Sequence, residues 1–158
     1  MNCDKREMIK LNLPEFQFRF KNSANKTYIF DEIRKKFVLV TPEEWVRQNF
    51  IQFLIQVKNY PPSLMAVEKK VDINNQPQRF DLLVYSRRGK PWLMAEFKSP
   101  EIKISQQAFD QVVRYNMALK ADFVLVSNGL QHYFCQMNYE KNSYTYLKEV
   151  PDFKNNNP

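Results

Sequence analysis

The sequence predicts an α/β fold of α+β-like character, a mixed sheet with helices packed on it. Three observations predict it. A capped, amphipathic helical segment is followed by three strand-like runs separated by turn residues, and a second helical segment then leads into the wholly apolar run Phe123–Val126. An antiparallel meander joined through a helical crossover to another buried strand requires a sheet with both strand orientations.

In chain order, Lys26–Phe30 and Lys36–Val40 read as two short strands joined by the charged stretch Asp31–Lys35. Thr41-Pro42-Glu43-Glu44 is a strong helix start: Thr41 as N-cap, Pro42 at the first helical position, Glu44 as the capping-box acid. Val46, Phe50, Phe53, Leu54 and Val57 follow at helical spacing, which carries the helix to about Lys58 before Pro61-Pro62 ends it. Leu64–Ile73, Arg79–Tyr85 and Trp92–Lys98 read as strands, with turns at Asn74–Pro77 and Ser86–Pro91. A second helix is expected over Ser105–Leu119. Phe123–Val126 reads as a buried strand, Asn128-Gly129 as a turn, Gln131–Met137 as a returning strand and Ser143–Leu147 as a final short one.

With 158 residues, 44% hydrophobic and 15% aromatic, the chain can bury one core. A single domain over residues 1–150 is expected, with 151–158, which include three consecutive asparagines, as a flexible tail. Two glycines are too few for a glycine-rich phosphate loop, which excludes P-loop and dinucleotide-binding sites. One histidine, His132, and two widely spaced cysteines, Cys3 and Cys135, exclude a four-ligand structural zinc site. The formal charge of +7, with clusters at Lys5-Arg6, Arg34-Lys35-Lys36, Lys69-Lys70 and Arg87-Arg88-Gly89-Lys90, suits a polyanionic partner, because neutralising phosphates releases counterions. MNCDKREMIK lacks an apolar signal-peptide core and no apolar run reaches membrane-spanning length, so a cytoplasmic, membrane-free setting is expected.

The chemistry centres on Asp81 and Glu96-Phe97-Lys98. Side chains alternate along a strand, so Glu96 and Lys98 share a face and Leu93, Ala95 and Phe97 take the other. Asp81 is the one acid in Phe80–Tyr85, fifteen residues before Glu96. A carboxylate in such a run must be paired or coordinate a metal. The hairpin would bring Asp81 and Glu96 together, where two carboxylates conflict unless a divalent cation joins them. Mg²⁺ or Mn²⁺ would take Asp81, Glu96 and the Phe97 carbonyl, and Lys98 would orient a water or stabilise charge on an attacked phosphate. An ordinary Glu–Lys pair on an exposed strand is the plain alternative. Glu43 falls in the middle of the apolar stripe of the first helix, so it should point toward the sheet as an auxiliary metal or site residue. On the second helix Gln107, Gln111 and Tyr115 share a face, which offers Gln111 and Tyr115 to the site or to a phosphate.

The series Asp81, Glu96-Phe97-Lys98 and Gln111-Val112-Val113-Arg114-Tyr115 resembles the PD-(D/E)xK nuclease superfamily. More closely, it resembles the N-terminal nuclease domain of the R subunit of type I restriction enzymes, which carries an Asp, an ExK and a QxxxY helix motif. Thr41–Gln48 and Val126-Ser127-Asn128-Gly129 resemble that group too, and the similarity runs from about Phe37 to Phe134. The resemblance implies a restriction-endonuclease-like core of helix, three-stranded meander, helix and strand, and Mg²⁺-dependent hydrolysis of DNA. It implies Asp81 and Glu96 as metal ligands, Lys98 as the catalytic lysine, Glu43 as the helix acid, and Gln111 and Tyr115 as positioning residues. Phe80 stands where a proline is usual. Such R subunits continue into an ATP-driven translocase, so a restriction-modification or motor subunit is an expected partner, and two-strand cutting would suit a homodimer. The alternative is a non-catalytic DNA-binding or assembly module that keeps the fold.

Overall fold

Thr41 caps the first helix as its sequence suggests. In the computed structural model, which describes residues 8–154, its Oγ accepts the Glu44 N–H at 3.0 Å and opens α1 (Pro42–Gln56). The helix stops at Gln56, and Val57, expected on its buried stripe, is 44% exposed. Before α1 stands a separate antiparallel sheet of β1 (Phe20–Ser23), β2 (Lys26–Asp31) and β3 (Lys36–Leu39). Strand β1 escapes the sequence reading because Phe20-Lys21-Asn22-Ser23 has one apolar residue. Its hairpin turn, Ala24-Asn25, is made of two residues at positive φ, a turn that twists with the strands.

The main sheet has the order β4 (Met65–Ile73), β5 (Gln76–Tyr85), β6 (Pro91–Phe97), β7 (Phe123–Ser127), β8 (His132–Asn138), β9 (Ser143–Leu147). All neighbours are antiparallel except β6 and β7, which are parallel and joined through α2 (Gln106–Leu119). A mixed sheet with two helices is thus the architecture, as the order of elements predicts. The turn between β4 and β5 is tighter than expected: only Asn74 and Asn75, both at positive φ, make it, while Gln76 and Pro77 pair with Ile73 and Asp72.

Each face of the sheet carries one helix. Val46, Phe50 and Leu54 of α1 pack on Leu82, Val84, Leu93, Ala95 and Phe97. Phe109 and Val112 of α2 pack on Phe80, Leu83, Met94, Val124 and Val126 on the opposite face. The alternation along β6 therefore sends Leu93, Ala95 and Phe97 to one helix and its even-numbered residues, Glu96 among them, toward the other.

The expectation of a loose tail from residue 151 does not describe its first part. Phe153 is buried, its ring lies 5.2 Å from that of Tyr60, and its N–H donates to the Lys58 carbonyl at 2.8 Å. An aromatic of this size gains more from burial than the backbone loses in freedom. Residues 155–158, like Cys3 and Lys5-Arg6, lie outside the described residues. Phe153→Ala is expected to cost about 3 kcal/mol, read as a lower urea midpoint at unchanged slope.

Candidate active site

The site forms where β5 leaves the sheet ladder. Its pairing with β6 runs from Tyr85–Pro91, through an irregularity between Val84 and Tyr85, to Leu82–Ala95 and stops before Asp81. On the other side, Leu82 pairs with Val67 and Phe80 with Lys69, so Asp81 and Glu68 fall in a gap between them, and Glu68 has φ +52°. The strand turns here: Phe80 packs toward α2 and Leu82 toward α1, where regular alternation would put both on one face. Asp81 fills the gap with its side chain. Its Oδ2 accepts the Phe97 N–H at 2.8 Å, in place of a backbone carbonyl. Its Oδ1 accepts from Arg47 Nη2 at 3.2 Å.

Glu96 is the next residue in from this junction. Burial pushes its carboxyl up to about 8, and the negative charge of Asp81 beside it pushes in the same direction; Lys98 opposes both. Both effects favour the protonated form of Glu96 near neutral pH. The sign for stability follows. The unfolded chain releases this proton near the ordinary 4.5, the folded one near 8, so without a cation stability falls as pH rises across that window. Urea midpoints at pH 5.5 and 8.5 are expected to show this fall, and Glu96→Gln is expected to flatten it.

Glu96 and Lys98 line one cavity of about 230 Å³ together with Arg79, Gln111 and Tyr115. The structure thus brings the face of α2 to the strand pair. Gln111 Nε2 donates to the Tyr115 hydroxyl at 3.2 Å, and both side chains are exposed on the cavity wall. Ser105 caps α2 by accepting the Ala108 N–H at 3.1 Å, which fixes where this face begins. The Lys98 N–H donates to the Ser127 carbonyl at 2.9 Å, so the lysine leaves the sheet from a pinned backbone.

Glu43 does not point into the sheet as its place on the stripe suggests. Its side chain is 47% exposed at the rim, 3.6 Å from Arg47. It still senses the site: burial and the charge of Asp81 raise its carboxyl, while Arg47 and Lys98 lower it. The buried acid is Glu44, whose carboxylate binds Arg34, Arg47 (2.6 Å) and Gln48 (3.0 Å) in place of closing a capping box.

Arg47 is the residue sequence reasoning misses. It is 3% exposed and sits within ion-pair distance of Glu44, Glu68 (3.5 Å), Asp81 and Glu43. Arg34, grouped in the sequence with a basic surface cluster, turns inward to Asp31, Glu44 and Glu68. The only sequence signal was the spacing of Glu43 and Glu44 to Arg47 on one helix, i to i+4 and i to i+3. His132 has a structural role: it bonds Ser127 Oγ at 2.7 Å and the Asn12 carbonyl at 2.9 Å, with Ser127 fully buried.

The donors fit a hard divalent cation. Asp81, Glu96 and the Phe97 carbonyl are all oxygen ligands, and the repulsion that protonates Glu96 is what a cation would relieve. Among the described residues no group of three or more His, Cys, Asp or Glu side chains forms a ready cage. An ion held by one or two carboxylates and several waters, such as Mg²⁺ or Mn²⁺, would need only Asp81 and Glu96 from these side chains. Among the described residues no helix is long and apolar enough to cross a membrane.

Residues 42–151 match the family described as Type I restriction enzyme R protein N terminus. No match is found among curated proteins. A solved fragment of an HsdR subunit of a type I restriction enzyme from Vibrio vulnificus YJ016 superposes with a TM-score of 0.51 at 15% identity. The likeness covers 70% of this chain and 23% of that one, and at this identity it speaks for the fold alone.

Proposed function

The chain belongs to the type I restriction enzyme R protein N-terminal family, its match spanning well over half the sequence, and on that premise we propose that it is a metal-dependent DNA endonuclease module of the PD-(D/E)xK kind. The observation that carries this reading is the Asp81–Glu96 junction, two carboxylates forced together at the end of β6 with Lys98 on the same cavity wall as Glu96. Asp81, Glu96 and the Phe97 carbonyl would hold Mg²⁺ or Mn²⁺, with Glu43 at the rim. When bound, the cation supplies Lewis-acid polarisation of the scissile phosphate.

The chain's own residues do the rest. Asp81 is fixed by the Phe97 N–H and by Arg47, so its carboxylate is oriented before substrate arrives. The Lys98 ammonium faces the same space and would offset the charge that grows on the phosphate as water attacks and one P–O bond to the backbone breaks. Gln111 and Tyr115 stand across the cavity, where they can hold the neighbouring stretch of the strand. A restriction-modification or motor subunit as partner accords with the family, and a homodimer would supply a second site for the second strand.

A second reading has one observation in its favour. Arg47 already neutralises Asp81 at 3.2 Å, so the site tolerates its own charge without a metal, as a non-catalytic DNA-binding or assembly module would require. Supercoiled plasmid separates the two. The nuclease reading expects conversion to open circles with Mg²⁺ or Mn²⁺ and none with a chelator. DNA binding with a steep salt slope, but no nicking in either metal, would establish the binding module instead.

A further inference from the structure

We infer that the outer face of the β1–β3 sheet is a binding site for an unpaired nucleic-acid strand, with Tyr28, Phe30 and Phe37 as stacking rings and Arg19 and Lys21 as the cations beside them. The inner face of this sheet already does its packing: Ile29 is fully buried, and Phe18 and Phe20 lie against Trp45 at ring separations of 5.4 and 6.4 Å. The outer face of a small antiparallel sheet is ordinarily polar. Here the register sets Tyr28 opposite Leu39 and Phe30 opposite Phe37, which gathers three half-buried rings and an exposed leucine on the outside.

The cations are placed for a polyanion. The Arg19 guanidinium lies 3.9 Å from the centre of the Phe30 ring, and Lys21 Nζ lies 4.7 Å from Phe37 and 5.6 Å from Tyr28. Among the described residues neither cation has an acidic partner at ion-pair distance, unlike Arg34 and Arg47. Rings with cations alongside are what single strands use: bases stack on ring faces or guanidinium planes, and phosphates meet the charges.

Position supports the same ligand. Leu39, at the edge of this face, lines a cavity of about 450 Å³ with Glu43 and Arg47, and Arg47 in turn reaches Asp81 at 3.2 Å. The sheet is tied to α1 through Asp31, Arg34 and Glu44, so a strand bound on it would be held at a fixed place relative to Asp81. These strands precede residues 42–151, the segment that matches the family.

The test is fluorescence anisotropy of the full chain with labelled twelve-residue oligo-dT and oligo-rU, in chelator, so that it does not depend on cleavage. Tight binding of either is expected, and whichever binds better identifies the natural strand. Tyr28→Ala is expected to weaken it roughly tenfold. Arg19→Ala with Lys21→Ala is expected to lower the slope of log affinity against log salt by about 1.4, since each phosphate contact on a single strand contributes about 0.7. Unchanged circular dichroism and melting of the variants show that the sheet persists. No binding to either oligomer, wild-type affinity in both the ring and the cation variants, or equal displacement by duplex would overturn the inference. Failure of plasmid nicking alone would leave it standing.

Discussion

Lys98→Ala is expected to lower plasmid nicking at least about a hundredfold, the usual loss when one charge-stabilising donor is removed from a reacting centre. Stability should hardly change. The Lys98 backbone N–H remains bonded to Ser127, and among the described residues the ammonium has no ion-pair partner whose loss would cost anything. Surface changes of this kind shift stability by less than about 0.5 kcal/mol. Asp81→Ala should abolish nicking as well, but for mixed reasons. It removes a cation ligand and also the acceptor for the Phe97 N–H and the partner of Arg47. Asp81→Asn separates these effects, because its amide oxygen can still accept from Phe97 while its charge is gone. Nicking rates set beside melting temperatures for the three variants check the assignment. Activity retained in Lys98→Ala would remove the lysine from the chemistry.

The parts of this molecule that were legible in the sequence are those set by neighbours in the chain. The Thr41-Pro42 helix start, the strand expected over Trp92–Lys98 and the helix expected over Ser105–Leu119 all depend on residues a few positions apart, and the structure places them within a residue of local reasoning, at Pro42, Pro91–Phe97 and Gln106–Leu119. The same holds for the shared face of Glu96 and Lys98. What escaped was set across the fold. Glu43 and Glu44 differ by one position on a helix, and which of them is buried depends on Arg34 arriving from the β2–β3 connection and Glu68 from β4. A helical wheel cannot supply either partner. Arg47 went unread because the acids around it come from as far off as Asp81, thirty-four residues on. The turn in β5 at Asp81 is equally invisible, since it comes from a missing pair with Glu68 and not from a glycine or proline.

Arg47 carries the largest expected effect on stability. It sits almost wholly buried among four carboxylates, and its Nε has no hydrogen-bond partner, so the guanidinium is held by the acids on its terminal nitrogens alone. Removing it leaves Glu44 buried with Arg34 as its remaining ion-pair partner, and leaves Asp81 beside Glu96 without the guanidinium that pairs with it. Breaking a buried pair from one side typically costs about 3–5 kcal/mol. For a domain of this size that is a fall of roughly 10 °C in melting temperature. Arg47→Lys should recover only part of it, because one ammonium cannot reach Glu44 and Asp81 as the two arms of the guanidinium do. Glu44→Gln in the Arg47→Ala background should restore some stability by removing the stranded charge. A double-mutant cycle of these changes, read by urea denaturation, measures the coupling directly. If Arg47→Ala melts with the wild type, the network is ornamental and Asp81 is held by the Phe97 N–H alone. If Mn²⁺ restores much of the stability lost in Arg47→Ala, the guanidinium and the metal serve the same carboxylates, and the site is built to hold positive charge whether or not a metal is bound.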